Sequence, residues 1–318
     1  MNTIAKWRES LLKSIQLQLF ISFMSLPFLV AWGLPISLLT PISTLIFGPF
    51  LTCFLLVSSL IFFLELFYLP NSALIWCLEM VTSAWLACLS LEQRVWLMGF
   101  SKPPLIVLFF IPLIALAIVH SKKITCMARR VCLLGFFLIA VCAGLKLFPY
   151  NYNTFEKIPC NGGEITLINH NNTLILIDPG YIASKPSYES LISYSLIPAI
   201  VQKTGQLQID HLIVCKFNKR ILDALEYLVT KIGVKDIYIP AWKGRIPSFA
   251  WRSYVKLKRT VAENNGRIFS IYYKKRVHLD KKSELYIAPV ATKDVSYYDA
   301  TYRPLSVSGI IDDQTLVL

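Results

Sequence analysis

The sequence predicts two joined domains, an α-helical polytopic membrane domain followed by an α/β domain. Hydrophobic residues make up 55% of the 318 residues and charged residues only 16%, which is too apolar for an ordinary soluble protein. Residues 14–64 carry no charge, whereas one helix needs only about 20 apolar residues to cross a bilayer. After residue 148, short strand-like runs alternate with amphipathic helical ones. These patterns predict a transmembrane domain over 1–148 and a second domain over 149–318.

Five apolar blocks in the first domain predict about five spans. They cover residues 15–32, 49–69, 72–91, 104–119 and 131–148. Gly33, Pro35, Pro41, Gly48 and Pro49 interrupt the chain between the first two blocks. Internal prolines remove backbone donors, so we expect a broken segment near 33–49. It would line a pore or groove, or form an interfacial connection.

Basic residues beside the blocks predict the orientation. Lys6, Arg8 and Lys13 precede the first block. Lys122, Lys123, Arg129 and Arg130 lie between the fourth and fifth. Because basic flanks stay in the cytoplasm, we expect a cytoplasmic N-terminus and a C-terminal domain on the outer side.

One acidic residue lies inside an apolar block. Glu79 is near the middle of the third block, and an ionisable group at that depth is a functional-site hypothesis. We therefore predict that Glu79 lines a path through the membrane.

The second domain shows the order of an α/β fold. Strands are predicted at 164–170, 172–180, 209–214, 235–240, 267–273 and 283–290, and helices at 191–204, 221–231 and 248–264. Such folds place their sites at the carboxyl ends of strands. Two of these ends carry polar residues, Asp178 after one strand and the segment 215–220 after another. Cys160 and Cys215 are the two cysteines of this domain, and a disulfide between them stays open.

Several stretches in this order resemble the ComEC family of competence proteins, which are membrane channels for DNA uptake. WGLPISLLTPISTLIFGPFLTCFLLV is similar to a family stretch with a phenylalanine-glycine pair, serines and a proline. PCNGGEI at 159–165 stands where the family has D-V-G-Q-G-D-A, and LIDPG at 176–180 is similar to L-I-D-T-G. The resemblance implies a bacterial plasma-membrane protein whose α/β domain is a truncated metallo-β-lactamase-like fold.

The metal motif of that family is altered here. The family has H-x-H/D-x-D-H after the strand, where this chain has Lys216, Asn218, Arg220 and Ile221. Two of these are cations, which repel a metal ion. His211 lies within the preceding strand and is interpreted as a packed histidine. The expectation is a degenerate domain that is not an enzyme, with no metal and no cofactor.

The resemblance covers only the C-terminal half of the family's proteins. It therefore implies another membrane chain as partner, supplying the missing half of the channel. The predicted function is to move or guide single-stranded DNA across the membrane without nuclease activity. The alternatives are a membrane-bound metal-dependent hydrolase or nuclease and a decayed structural membrane protein.

A basic stretch after residue 251 is the predicted nucleic-acid-binding region. The residues are Arg252, Lys256, Lys258, Arg259, Lys274, Lys275 and Arg276. Tyr254, Phe269, Tyr272 and Tyr273 are interleaved with them. Cations contact phosphates and aromatic rings stack on bases. The alternative interpretation is a solvated surface, or one that contacts anionic lipid.

Overall fold

The structure is a computed structural model that forms two compact units. It describes residues 2–37, 40–90, 97–122, 124, 126–147, 153–160, 162–184, 187–242, 248–278, 283–290, 304–311 and 314–317. The first unit consists of Met1–Ala31, Pro35–Met98 and Pro103–Leu147, and the second of Trp32–Leu34, Gly99–Lys102 and Phe148–Leu318.

The first unit is helical. Its helices are α1 (Asn2–Ala31), α2 (Thr40–Leu66), α3 (Ser72–Ser90), α4 (Leu105–His120) and α5 (Met127–Leu147). A two-stranded antiparallel sheet joins β1 (Ile36–Ser37) to β2 (Leu97–Met98). Helices α1 and α5 pack together, with the Phe23 ring stacked on the Phe137 ring at a centroid distance of 5.0 Å.

Two of these helices are long and apolar enough to cross a membrane. They cover Lys6–Ala31, with 26 residues, and Met127–Leu147, with 21. The described apolar stretches of the other helices are Phe50–Leu66, Ser72–Ala87 and Leu105–His120, each of 10–17 residues. At about 1.5 Å per residue, such stretches are shorter than the hydrocarbon core of roughly 30 Å.

The fold class predicted from sequence is therefore wrong. The sequence predicted about five spans, and only two helices among the described residues meet the length and composition of a span. Each block does form a helix, but apolar composition alone does not distinguish a span from a shorter apolar helix. In place of the predicted class, the described residues form two candidate membrane helices and a mixed α/β domain.

The predicted break near 33–49 is shorter in the structure. Helix α2 begins at Thr40 and continues through residues 48 and 49. Pro41 falls in its first turn, where a missing N–H has no helical partner to lose.

The second unit is built on a six-stranded sheet in sequence order. Its strands are β3 (Thr154–Cys160), β4 (Gly163–His170), β5 (Thr173–Asp178), β6 (Gln208–Val214), β7 (Gly233–Pro240) and β8 (Arg267–Ile271). Strands β3 to β5 are antiparallel and β5 to β8 are parallel. The β4–β5 hairpin turns at Asn171 and Asn172, whose φ values are 47° and 66°. Asparagine tolerates this left-handed region, which a tight two-residue hairpin requires.

Helices cover one face of this sheet. They are α6 (Tyr188–Leu191), a π-helical segment (Ile192–Leu196), α7 (Ile197–Thr204), α8 (Lys219–Lys231) and α9 (Ser248–Glu263). Pro198 has no N–H to donate to the carbonyl of Tyr194, which accounts for a π turn directly before it. Gly205 ends α7 at φ 69°, a conformation that favours glycine.

A smaller sheet covers the other face. Its antiparallel strands are β9 (Lys275–His278), β10 (Glu284–Pro289), β11 (Leu305–Ile311) and β12 (Gln314–Val317), in the order β12-β11-β10-β9. Leu174 and Leu176 of β5 belong to the core shared with the helices, whereas Ile175 and Ile177 belong to the core shared with the smaller sheet. Because both faces are buried, the central strands are almost continuously apolar.

Candidate nucleic-acid interface

The two predicted strand ends lie side by side. Asp178 at the end of β5 pairs in register with Val214 at the end of β6. The next residue, Cys215, donates its backbone N–H to the carbonyl oxygen of Asp178 at 2.8 Å. Parallel strands β5 and β6 thus bring Asp178 and the segment 215–220 to one edge of the sheet. We call these residues the strand-end corner.

Asp178 holds the turn that leaves β5. Its Oδ1 accepts backbone N–H groups of Gly180 at 2.9 Å, Tyr181 at 2.6 Å and Ile182 at 3.2 Å. Its Oδ2 is buried and has no hydrogen-bond partner among the residues that the structure describes. Burial raises the pKa of Asp178, against the lowering by those three N–H groups and by the charge of Lys216. The carboxyl group is therefore a buried structural acceptor.

The cations of the corner stand at the start of α8. Lys216, Lys219 and Arg220 are exposed. Asn218 is the N-cap, and its Oδ1 accepts the N–H of Ile221 at 2.8 Å. The N-terminal end of a helix carries partial positive charge, so these side chains add to a positive field. The corner is suited to an anion.

The cysteine of the corner is not a nucleophile at neutral pH. Cys215 is buried and free. Burial, with a smaller contribution from Asp178, raises the pKa of its thiol to about 12. Since the thiolate is the reactive form, the thiol stays protonated. Cys160 is in no disulfide either, so the Cys160–Cys215 bond left open by the sequence does not form in this structure.

The positions of the altered metal motif have other roles here. Asn218 caps α8 and Ile221 is buried in the core. Within the described part of the chain, His, Cys, Asp and Glu side chains form no group of three or more that could hold a metal ion. His211 lies three residues before the end of β6, with Nδ1 3.6 Å from Asp236 Oδ2 and 3.4 Å from the Tyr238 hydroxyl. Burial lowers the pKa of His211, consistent with a packed histidine.

The seven predicted nucleic-acid-binding residues lie in two groups. Arg252, Lys256, Lys258 and Arg259 are exposed on α9. Two of them have acidic partners. Lys256 Nζ lies 3.0 Å from Glu226 Oε2 of α8, and Arg259 Nε lies 2.9 Å from Glu263 Oε1. The α9 group is therefore less positive than its sequence suggests.

The second group surrounds the start of β9. Lys274 Nζ lies 4.3 Å from the centroid of the Tyr286 ring. Lys275 Nζ lies 3.6 Å from the centroid of the Phe269 ring. Arg276 forms an ion pair with Glu284. Here each cation has an aromatic or acidic neighbour from another strand. Tyr286 and Glu284 were not predicted, because no local pattern links strand β10 to the basic stretch.

Glu79 lies on α3 with an exposed side chain. No ion pair is formed by Glu79 with any residue for which the structure gives a position. Its role in a membrane path stays a prediction.

Comparison with protein-family models yields no match, and comparison with curated proteins yields none.

Proposed function

We propose that this chain is a membrane-integrated protein that moves or guides single-stranded DNA across a bacterial plasma membrane, without nuclease activity. The observation that carries the proposal is the positive strand-end corner, where Lys216, Lys219 and Arg220 are exposed at the start of α8. The motif resemblance to ComEC-type competence proteins supports the same substrate.

Phosphate is the anion that suits this corner. Three cations beside a helix N-terminus repel one another and the partial charge of the helix, and a bound phosphate would relieve both. The whole chain has a formal net charge of +13. A polyanion is therefore attracted over a distance, and its affinity depends steeply on salt.

We propose that nuclease activity is absent because the side chains of the strand-end corner do not form a metal site. Catalysis by two metal ions needs several carboxylate and imidazole ligands that converge on one site. At the corresponding positions, Lys216 and Arg220 bring positive charge and Asn218 caps a helix. The carboxyl group of Asp178 holds backbone N–H groups of its own turn.

The proposed location is the plasma membrane, with the N-terminus in the cytoplasm and the α/β domain on the outer side. Both candidate spans, Lys6–Ala31 and Met127–Leu147, begin among basic residues. Two spans alone would return the chain to the cytoplasm, so the proposed outer position of the α/β domain requires one further crossing between residues 32 and 126. A reporter enzyme that is active only outside the cytoplasm, fused after Leu318, tests this orientation. Activity of the fusion is expected, and an inactive fusion contradicts the orientation.

A second membrane chain is the proposed partner, since the motifs that resemble the family cover only the later half of its proteins. Co-purification in mild detergent tests this partner. A chain recovered only as a monomer, with no other membrane protein, contradicts it.

The DNA-binding part is tested with the full chain in detergent micelles and a fluorescent single-stranded oligonucleotide. Binding is expected to weaken as salt rises, by about 0.7 in logarithmic slope for each phosphate contacted. Replacing Lys216, Lys219 and Arg220 together by Gln should lower that slope by roughly 2. No binding at low salt would overturn the proposal.

A matched variant controls for net charge. Lys157, Lys203 and Lys235 each pair with a carboxylate of the same domain, Glu164, Glu156 and Asp210. Replacing these three by Gln removes the same charge away from the corner, and the slope should change much less. Equal changes in the two triple variants would show that the corner is not the contact. Loss of DNA uptake in cells that lack the gene is the corresponding functional result.

A further inference from the structure

Four aromatic side chains of the second unit lie on α9 and in the turn that follows β8. The Trp251 and Tyr254 rings of α9 have centroids 6.0 Å apart. Tyr254 lies close to Tyr272 in the turn after β8. Burial raises the pKa of the Tyr254 hydroxyl, and the charge of Tyr272 adds to this effect. Tyr273 is the next residue along the turn. We call Trp251, Tyr254, Tyr272 and Tyr273 the aromatic strip.

Three rings of the strip are open to solvent, and Tyr254 is partly buried. The exposed fractions are 52% for Trp251, 63% for Tyr272 and 86% for Tyr273. Large rings that share one exposed surface are typical of a binding site. Of the four rings, Tyr254 packs against the core beside Ala250, Leu257 and Val261, whereas Trp251, Tyr272 and Tyr273 take no part in that contact.

Cations flank the strip. Lys258 follows Tyr254 by one helical turn and is exposed. Lys274 follows Tyr273 in the chain and is exposed, with its Nζ 4.3 Å from the centroid of the Tyr286 ring. Lys256 and Arg259, by contrast, are held by Glu226 and Glu263. The basic residues of α9 therefore differ in their neighbours. Lys256 and Arg259 contact carboxylates, and Lys258 lies on the same helical face as the rings.

We propose that the aromatic strip binds single-stranded nucleic acid by stacking its rings on successive bases, with Lys258 and Lys274 against the phosphates. This inference rests on the proposed function and adds how the strand is held. Stacking on aromatic rings is tolerant of sequence, because every base has a π face. A strand in transit requires such tolerance.

The composition of the strip favours nucleic acid over lipid. Surfaces that insert into a bilayer combine Trp with Phe and Leu on one apolar face. Here three of the four rings are tyrosines, of which Tyr272 and Tyr273 are exposed, and Val255 is the one large aliphatic residue exposed on α9 among its described side chains. Alternation of rings with cations matches the chemistry of bases and phosphates.

The test compares two oligonucleotides of equal length, oligo-dT and an abasic strand, on the full chain in detergent micelles. They carry equal phosphate charge and differ only in the bases. The wild-type chain should bind oligo-dT at least about tenfold more tightly. Tyr272→Ser and Tyr273→Ser should each weaken oligo-dT binding by about tenfold and leave abasic binding unchanged.

Tyr194 supplies the matched control, because it is 83% exposed in the π-helical segment, outside the strip. Tyr194→Ser should leave both affinities unchanged. Tyr272→Phe and Tyr273→Phe keep the rings and should retain oligo-dT binding, which separates the loss of stacking from misfolding.

Three outcomes would overturn the inference. Equal affinity of the wild type for the two strands means that bases are not contacted, while the proposed DNA binding stands. Failure to bind either strand refutes the proposed function itself. Serine variants that release the protein from phosphatidylglycerol-containing vesicles, with oligo-dT affinity unchanged, identify the strip as a lipid-binding surface.

Discussion

The ammonium group of Lys275 lies over the face of the Phe269 ring, with Nζ 3.6 Å from the ring centroid. Lys275 begins β9 of the smaller sheet and Phe269 lies in β8 of the larger one. The Tyr238 ring stacks on Phe269 at 5.4 Å, and Lys275 Nζ lies 5.0 Å from the Tyr238 centroid. Burial lowers the pKa of Lys275, although Asp236 opposes this effect. The cation therefore joins the two sheets at their shared edge.

Removal of this cation should destabilise the α/β domain. Lys275→Met keeps most of the apolar stem and loses the charge, and a partly desolvated cation–π contact contributes about 0.5–2 kcal/mol. A lower Tm in thermal unfolding of the full chain is expected. Lys258→Met is the control, since Lys258 is exposed on α9. A double-mutant cycle with Phe269→Leu should give a favourable coupling, and a coupling of zero contradicts the contact.

The raised pKa of Asp178 predicts a pH dependence of stability. The folded chain keeps this proton above the ordinary pKa of 3.8, where the unfolded chain has lost it. The contribution of Asp178 to stability therefore falls as pH rises through the folded pKa. Asp178→Asn removes the ionisation, so its Tm relative to wild type should increase between pH 4 and pH 7.5. A relative Tm that decreases over this range means that the three N–H groups outweigh burial.

The hydrogen bonds of Asp178 predict a separate effect. Asp178→Ala removes the acceptor of three backbone N–H groups, and each lost bond costs about 0.5–1.5 kcal/mol. This variant should unfold at a clearly lower temperature than Asp178→Asn, which keeps one carbonyl oxygen. Equal Tm values for the two variants would show that the oxygen does not hold the turn.

Asn218 is expected to stabilise α8 as its cap. Asn218→Ala should cost about 1 kcal/mol, measured as a lower Tm, because the N–H of Ile221 loses its acceptor. Asn218→Asp keeps the acceptor and adds a negative charge beside three cations, so it should be at least as stable as wild type. The same Asp variant should weaken oligonucleotide binding at the strand-end corner. An alanine variant as stable as wild type contradicts the capping role.

Cys215 should resist alkylation in the folded protein. Its thiol is buried and has a pKa of about 12, whereas Cys160 is partly exposed. With N-ethylmaleimide at pH 8, mass spectrometry of peptides should find Cys160 modified in the folded protein and Cys215 modified only after unfolding. Modification of Cys215 as fast as Cys160 would place it at an accessible position.

The local patterns of the second domain were predictable from sequence. The hairpin at 170–172 is confirmed by the positive φ values of Asn171 and Asn172. The helices predicted at 221–231 and 248–264 correspond to α8 (Lys219–Lys231) and α9 (Ser248–Glu263). These features depend on side-chain period, caps and turn residues, all of which act over a few positions. The proline-associated π segment is local as well, but the alternation of apolar residues does not reveal it.

The number of membrane helices was not predictable in the same way. The five apolar blocks do form α1 to α5. Among the described residues, however, only two of these helices are long and apolar enough to span a membrane. Apolar composition indicates that a segment avoids water. It does not indicate whether lipid or other parts of the protein cover that segment.

The sequence by itself determined that an apolar first part precedes an α/β part and that the central strands are apolar. It also determined that cations, and not metal-ligating side chains, follow β6. Only the tertiary structure decided which basic residues and rings of the later part of the domain meet a partner. Glu226 meets Lys256 across two helices, Asp236 meets Arg267 across two strands, and Tyr272 comes beside Tyr254. These contacts join residues that are far apart in the chain. The number of charged or aromatic residues in a short stretch of sequence does not predict such contacts. The basic residues of α9 therefore separate, in the folded domain, into Lys256 and Arg259, which contact carboxylates, and Lys258, which is exposed beside the aromatic strip.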